Sequence, residues 1–141
     1  MRFEMAKPYK GAIVRVKVKF YYHYGIYIDE KTVVAFGLPD NSTVKPEDIA
    51  VISTDIETFL NCGFLEVAKL SLSERLKKRS RKKIIDFALN RVGTKGYNIL
   101  HNNCEHFVNE CVFGKKESSF VESVRDEIKE KINKQREDPT K

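Results

Sequence analysis

"HNNCEHFVNEC", residues 101–111, sets a thiol among amides, carboxylates and imidazoles just where an apolar repeat begins. Cys104, Phe107, Val108, Cys111 and Val112 recur at i, i+3, i+4, i+7 and i+8, which predicts a helix with one stripe turned toward a core. Asn102 or Asn103 suits the N-cap, which places Cys104 in the first turn. Unpaired N–H groups and the positive end of the helix dipole favour an anion there, so the thiol pKa is expected to fall. The same N–H groups could hold an oxyanion once the sulfur attacks a carbonyl.

A thiol nucleophile is greatly helped by a base within hydrogen-bond reach, and the chain has three histidines. His106 stands two residues past Cys104, about 200° round an ideal helix, and so points elsewhere. The same angle keeps Cys104 and His106 from ligating one ion, and without a Cys-x-x-Cys pair no structural zinc is expected. His101 precedes the turn with nothing to fix it. His23 lies in a strand, on the face shared by Tyr21, Gly25 and Tyr27, and Gly25 leaves room for a helix end to approach. His23 is therefore the best-placed base. On the residues themselves two readings stay open: a nucleophile with its base, or a small buried cysteine and a structural strand histidine.

The chain around this centre divides into strands first and helices second. "AIVRVKVKFYYHYGIYID" (12–29) alternates, with a break expected around Lys19 to Tyr22 and a second strand through "HYGIYI". Asp29-Glu30-Lys31 predicts a turn, and "TVVAFG" (32–37) a returning strand. Residues 37–48 read as a loop. Val51 and Ile52 predict a short strand, Thr54 or Asp55 caps a brief helix ending at Asn61, and Phe64 to Lys69 predicts another strand. Ser71 or Ser73 caps a helix running through "KKIIDFALNRV" to Gly93. Val121, Val124, Ile128 and Ile132 form a narrower stripe in the charged tail. The expected fold class is α+β, an antiparallel sheet packed against helices.

With 141 residues the chain suits one domain, and nine Phe and six Tyr can furnish its core. Three widely spaced cysteines argue against a disulfide framework. No apolar run approaches the ~18 residues of a membrane span, and "MRFEMAK" lacks the apolar centre of a secretory signal. A cytoplasmic protein is expected. The net charge of +6 is concentrated in "RLKKRSRKK" (75–83), where seven of nine residues are basic. Its plain reading is a solvated helix face. Peripheral contact with an anionic surface through Arg75 to Lys83 is the functional alternative. Nucleic acid is not expected, since no aromatic side chain interleaves the run for stacking.

"NNCEHFVNEC" (102–111) resembles the Asn-Cys-Glu-His-Phe signature of the lecithin–retinol acyltransferase-like (LRAT-like) family, relatives of the NlpC-type thiol peptidases. "HYGIYID" (23–29) resembles that family's first histidine motif, and "RVGTKGYNILHNNCEHFVNECVFG" (91–114) its approach to the cysteine and exit. The likeness covers about residues 8 to 114, in the right order. It implies a circularly permuted papain-like fold, with Cys104 as nucleophile, His23 as base, and Asn103, Glu105, His106 and Tyr27 in support. Glu105 and His106 are expected to bond nearby loops. The implied activity is a thiol acyltransferase or hydrolase passing through an acyl-thioester, with an acyl-bearing small molecule, lipid or peptide as substrate and no cofactor or metal. Residues 1–114 would be the LRAT-like catalytic domain, and 115–141 a charged C-terminal helix or tail.

Two departures stand out. The family usually places a second polar residue, commonly His, where this chain has Ala35. Asp40, Asn41 or a backbone carbonyl could orient the imidazole instead; otherwise the chain is a catalytically impaired binding or regulatory module. Many animal members also carry a hydrophobic C-terminal anchor, whereas "VESVRDEIKEKINKQREDPTK" (121–141) is charged.

Overall fold

The alternating run at 12–29 folds as a tight hairpin. β2 (Ile13–Val18) and β3 (Tyr21–Asp29) pair antiparallel, with Val18 opposite Tyr21. Lys19 takes a left-handed φ of 48°, which reverses the chain where the break is expected. The computed structural model describes residues 1–19, 21–39, 44–98, 103–114 and 128–132. β3 turns back at Asp29, whose Oδ1 accepts from the Lys31 N–H at 2.8 Å, into β4 (Thr32–Phe36). β5 (Val51–Thr54) and β6 (Glu66–Lys69) complete the strands foreseen, and β1 (Arg2–Glu4) adds one that was not. The sheet is antiparallel throughout, in the order β1-β6-β2-β3-β4-β5. β1 is only three residues long, with a single half-buried position, too brief for alternation to register.

Each face of the sheet has its own apolar layer. Ile13, Ile26, Val34 and Phe36 meet Ile84 and Ala88 of one helix and Phe107, Val108 and Cys111 of another. Val14, Val16, Tyr27, Val33, Ala35 and Val67 form the second layer around Phe59. Because strand side chains alternate, a slip of one residue would exchange the two layers, so burial on both sides fixes the register.

Helices form where the caps stand. Asp55 accepts from the Thr58 N–H at 2.7 Å and starts α1 (Ile56–Leu60), which Asn61 ends at φ 45°. The single helix expected from Ser71 onward is two. Ser71 and Glu74 make a capping box for α2 (Leu72–Lys77), and Ser80 accepts from Lys83 N–H to begin α3 (Arg81–Asn90). Between them Lys78 is extended, and the Arg79 N–H donates to the Val112 carbonyl at 2.8 Å. A serine that can cap competes with helix continuation, and here the cap prevails. α4 (Cys104–Phe113) matches the apolar stripe and ends at Gly114, φ 75°.

Residues 46–48 of the expected loop form a short 3₁₀ turn, and residues 40–43 lie outside the described residues. So do Val121 and Val124 of the tail stripe, while 128–132 are helical with Ile128 and Ile132 exposed. Among the described residues no helix is long and apolar enough to cross a membrane.

Phe36 is buried in the α4-side layer, edge-on to Tyr97 at 5.2 Å and to Phe107 at 6.3 Å between ring centroids. Phe36→Ala should lower unfolding free energy by about 3–5 kcal/mol in denaturant titration. Phe64→Ala, at a side chain 77% exposed, should change it by no more than about 0.5 kcal/mol.

Candidate active site

α4 is held at its start by two reciprocal hydrogen bonds. The Asn103 side-chain oxygen accepts from the His106 N–H at 2.9 Å, and His106 Nδ1 accepts from the Asn103 N–H at 3.1 Å. Asn103, not Asn102, is thus the cap, and His106 closes its own helix end. Accepting at Nδ1 leaves the ring proton on Nε2. Both side chains are buried, so the first turn of α4 is rigid.

Cys104 follows the cap and meets β3 where that strand loses a neighbour. Pairing between β3 and β4 ends at Gly25 opposite Ala35. Just beyond, the thiol faces the Tyr22 carbonyl oxygen at 4.0 Å, with the Tyr24 backbone N–H near enough to favour its ionised form. The sulfur therefore rests against the backbone on both sides of His23. Burial raises the Cys104 pKa to about 11; the Tyr24 N–H opposes this, the Glu105 carboxylate adds to it, and the N–H groups of Cys104 and Glu105 oppose it again. The expected fall of the pKa is thus reversed: loss of water outweighs the helix terminus.

The His23 imidazole occupies the other face of β3. Its Nε2 lies 3.0 Å from the Gly37 carbonyl oxygen, and its ring packs on Phe59 of α1 at 5.3 Å. A carbonyl only accepts, so Nε2 carries the proton and Nδ1 presents a free lone pair. Burial draws the His23 pKa down to about 4, with the Gly37 bond pulling weakly the other way. The space left at Gly25 is filled by the Phe59 ring of α1, not by the start of α4. A Cβ on Gly25 would stand 2.9 Å from Phe59 Cε2 and 2.7 Å from Val33 Cγ1. Cys104 and His23 thus flank the same strand step, each hydrogen-bonded to a backbone carbonyl and not to the other.

The remaining candidates divide between the two faces. Ala35 is fully buried opposite Gly25, in the layer of Val33 and Phe59, and offers no polar group. Gly37 supplies the carbonyl that the sequence reading allowed for; Asp40, Asn41 and His101 fall outside the described residues. Tyr27 joins the Phe59 layer, its backbone bonded to Gly11 and Ala12. Glu105 lies near enough to Cys104 and to the Tyr24 hydroxyl to raise both pKa values.

Two groups near the thiol were missed. The Tyr24 hydroxyl, its pKa pushed up to about 12 by burial, lies beside Arg15, whose positive charge draws it the other way. The Arg15 guanidinium is itself clamped between the rings of Phe3 and Tyr22, at 3.9 and 3.8 Å, and donates to Glu66 at 2.9 Å. Strand parity was the available signal, since it puts Tyr24 on the helix-facing side once His23 is assigned to the other. Cys111 is buried and Cys62 exposed; among the described residues no group of three His, Cys, Asp or Glu could hold a metal.

Residues 6–117 match the family model described as "Lecithin retinol acyltransferase". Lecithin retinol acyltransferase of Mus musculus is 27% identical over 155 aligned residues, covering 95% of this chain and 67% of that protein. The Rattus norvegicus protein of the same name is 28% identical with the same coverage, and that of Bos taurus 26%.

The histidine carries a pH signature. An unfolded chain takes up the His23 proton near pH 6.5, the native state only near 4. Native stability is therefore whole above pH 6.5 and falls by about 3 kcal/mol as pH drops toward 4. Denaturant titrations from pH 7 to 4 should show this loss in the wild type, in excess of that in His23→Gln, whatever the substitution does to stability at neutral pH.

Proposed function

The chain belongs to the lecithin retinol acyltransferase family, and from that premise we propose that it is a cysteine-dependent acyltransferase or hydrolase with Cys104 as nucleophile and His23 as base. The permuted papain-like arrangement, with residues 1–114 as the catalytic domain, belongs to the same reading. The observation that carries it is the Cys104 sulfur, seated at the first turn of α4 against the strand step that bears His23.

Neutral imidazole and neutral thiol define the resting state. Because the ring and the S–H stand on opposite sides of β3, this reading requires a shift that brings His23 Nδ1 to the thiol when substrate binds; the ring then takes the proton as sulfur attacks an ester or amide carbonyl carbon. The developing oxyanion is met by the N–H groups of the α4 terminus. As the tetrahedral intermediate collapses, the carbon–heteroatom bond breaks and the leaving alcohol or amine recovers the proton from His23. An acyl-thioester on Cys104 remains. Water or an acceptor hydroxyl or amine then gives its proton to His23 and attacks the thioester; the carbon–sulfur bond breaks, and the departing sulfur recovers the proton from His23. The Gly37 carbonyl takes the orienting part that a second polar side chain would have in this family, and fixes the tautomer that leaves Nδ1 basic.

The rival reading is an impaired family member acting as a binding module. Ala35 and the high thiol pKa favour it.

Intact-mass spectrometry after incubation with an activated fatty-acyl ester decides between them. The expected result is one acyl mass on the wild type, absent from Cys104→Ala and formed at least about 100-fold more slowly in His23→Gln. With the base neutral down to pH 4, the rate should show no acid inflection near pH 6.5 and fall only toward 4. A wild type that acquires no Cys104 adduct would leave the module reading.

A further inference from the structure

α2 is a helix with no buried residue. Its inner side is marked by Glu74, whose carboxylate takes the Met1 ammonium at 2.9 Å and caps the Ser71 N–H. At ~100° per residue, Leu72 and Leu76 stand on the opposite side, with Arg75 beside them. These leucines are 73% and 80% exposed, one turn apart. Next to them a cleft of about 370 Å³ is lined by Lys7, Lys69, Arg75 and Lys78, with Tyr9 and one carboxylate, Glu4. Glu4 faces Lys69 at 3.9 Å; Lys7, Arg75 and Lys78 have no ion pair among the described residues.

We propose that α2 and this cleft form a docking surface for a bilayer containing anionic phospholipid: Leu72 and Leu76 enter the headgroup–acyl boundary, and a headgroup phosphate sits between Lys7, Arg75 and Lys78. Charge and shape together select this occupant. Cations supply the long-range attraction to an anionic leaflet, and two leucines on the exposed side give the short-range anchorage typical of interfacial helices. A nucleic acid offers the leucines nothing to enter. A stable protein partner needs roughly 800 Å² on each side, well beyond two side chains on a six-residue helix. The basic run splits accordingly. Arg75 and Lys78 line the cleft, whereas Arg79 turns back onto the Phe87 ring at 5.1 Å.

This surface does not depend on the role assigned to Cys104, and the two are separable. Co-sedimentation of the full chain would be measured with vesicles of phosphatidylcholine alone and of phosphatidylcholine mixed with phosphatidylserine. Binding is expected only to the mixed vesicles, weakening as salt is raised and unchanged in Cys104→Ala. Leu72→Ser with Leu76→Ser should lower affinity about tenfold or more, and Arg75→Ala with Lys78→Ala about thirtyfold. Far-ultraviolet circular dichroism serves as the check that both variants stay folded, since none of the four positions is buried. The proposal is overturned if the wild type ignores phosphatidylserine, or if its binding is indifferent to the leucines. Full displacement by inorganic phosphate at an ionic strength matched with chloride would also overturn it, in favour of a soluble anion.

Discussion

β3 pairs with β4 only from Gly25 onward, and the carbonyl of Tyr22 and amide of Tyr24, which precede that pairing, must be satisfied by something else. An unmet backbone group in a dry interior costs about 1–3 kcal/mol. The Cys104 thiol bonds the Tyr22 carbonyl and lies near the Tyr24 amide, which seats the start of α4 against this step of the strand. The apolar stripe of Phe107, Val108, Cys111 and Val112 then lays the helix across the strands, and the Asn103–His106 box keeps its first turn from fraying. Sheet, helix and thiol are thereby one construction.

Dryness sets the chemistry of that construction. Water is excluded from both sides of the strand, so imidazole and thiol are each held in their uncharged forms. Proton transfer in the proposed mechanism accompanies attack and does not precede it, unlike in a preformed thiolate–imidazolium pair. The Arg15 clamp adds fixed positive charge one strand away, beside the Tyr24 hydroxyl and paired with Glu66.

The legible parts of the molecule were those with strong periodicity or an explicit cap. The β2–β3–β4 alternation and the α4 stripe are long enough to leave no rival reading, and Asp55 and Asn103 cap as their side chains allow. β1 was too short to leave a pattern, and Ser80 reads equally well as helix interior until tertiary contacts decide. Cys104 and His23 stand out by residue type, but the environment that controls their protonation is built by Phe59, Gly37 and the β3 backbone, distant in sequence or silent as side chains. Local helix geometry argued for an acidic thiol, and burial, which no local pattern reports, reversed the sign.

Gly37 has one more consequence. Its φ of 87° and its N–H bond to Ala50 at 2.9 Å aim the carbonyl that holds His23. An orienting group made of main chain has no side chain to truncate, so an alanine scan across the pocket passes over it. Its loss comes only through the path of the loop: a residue with a Cβ, unable to sit easily at that dihedral, would turn the oxygen away. The posture of the imidazole is thus a matter of chain conformation more than of side-chain identity, and the ring is held although Ala35 offers it no polar group.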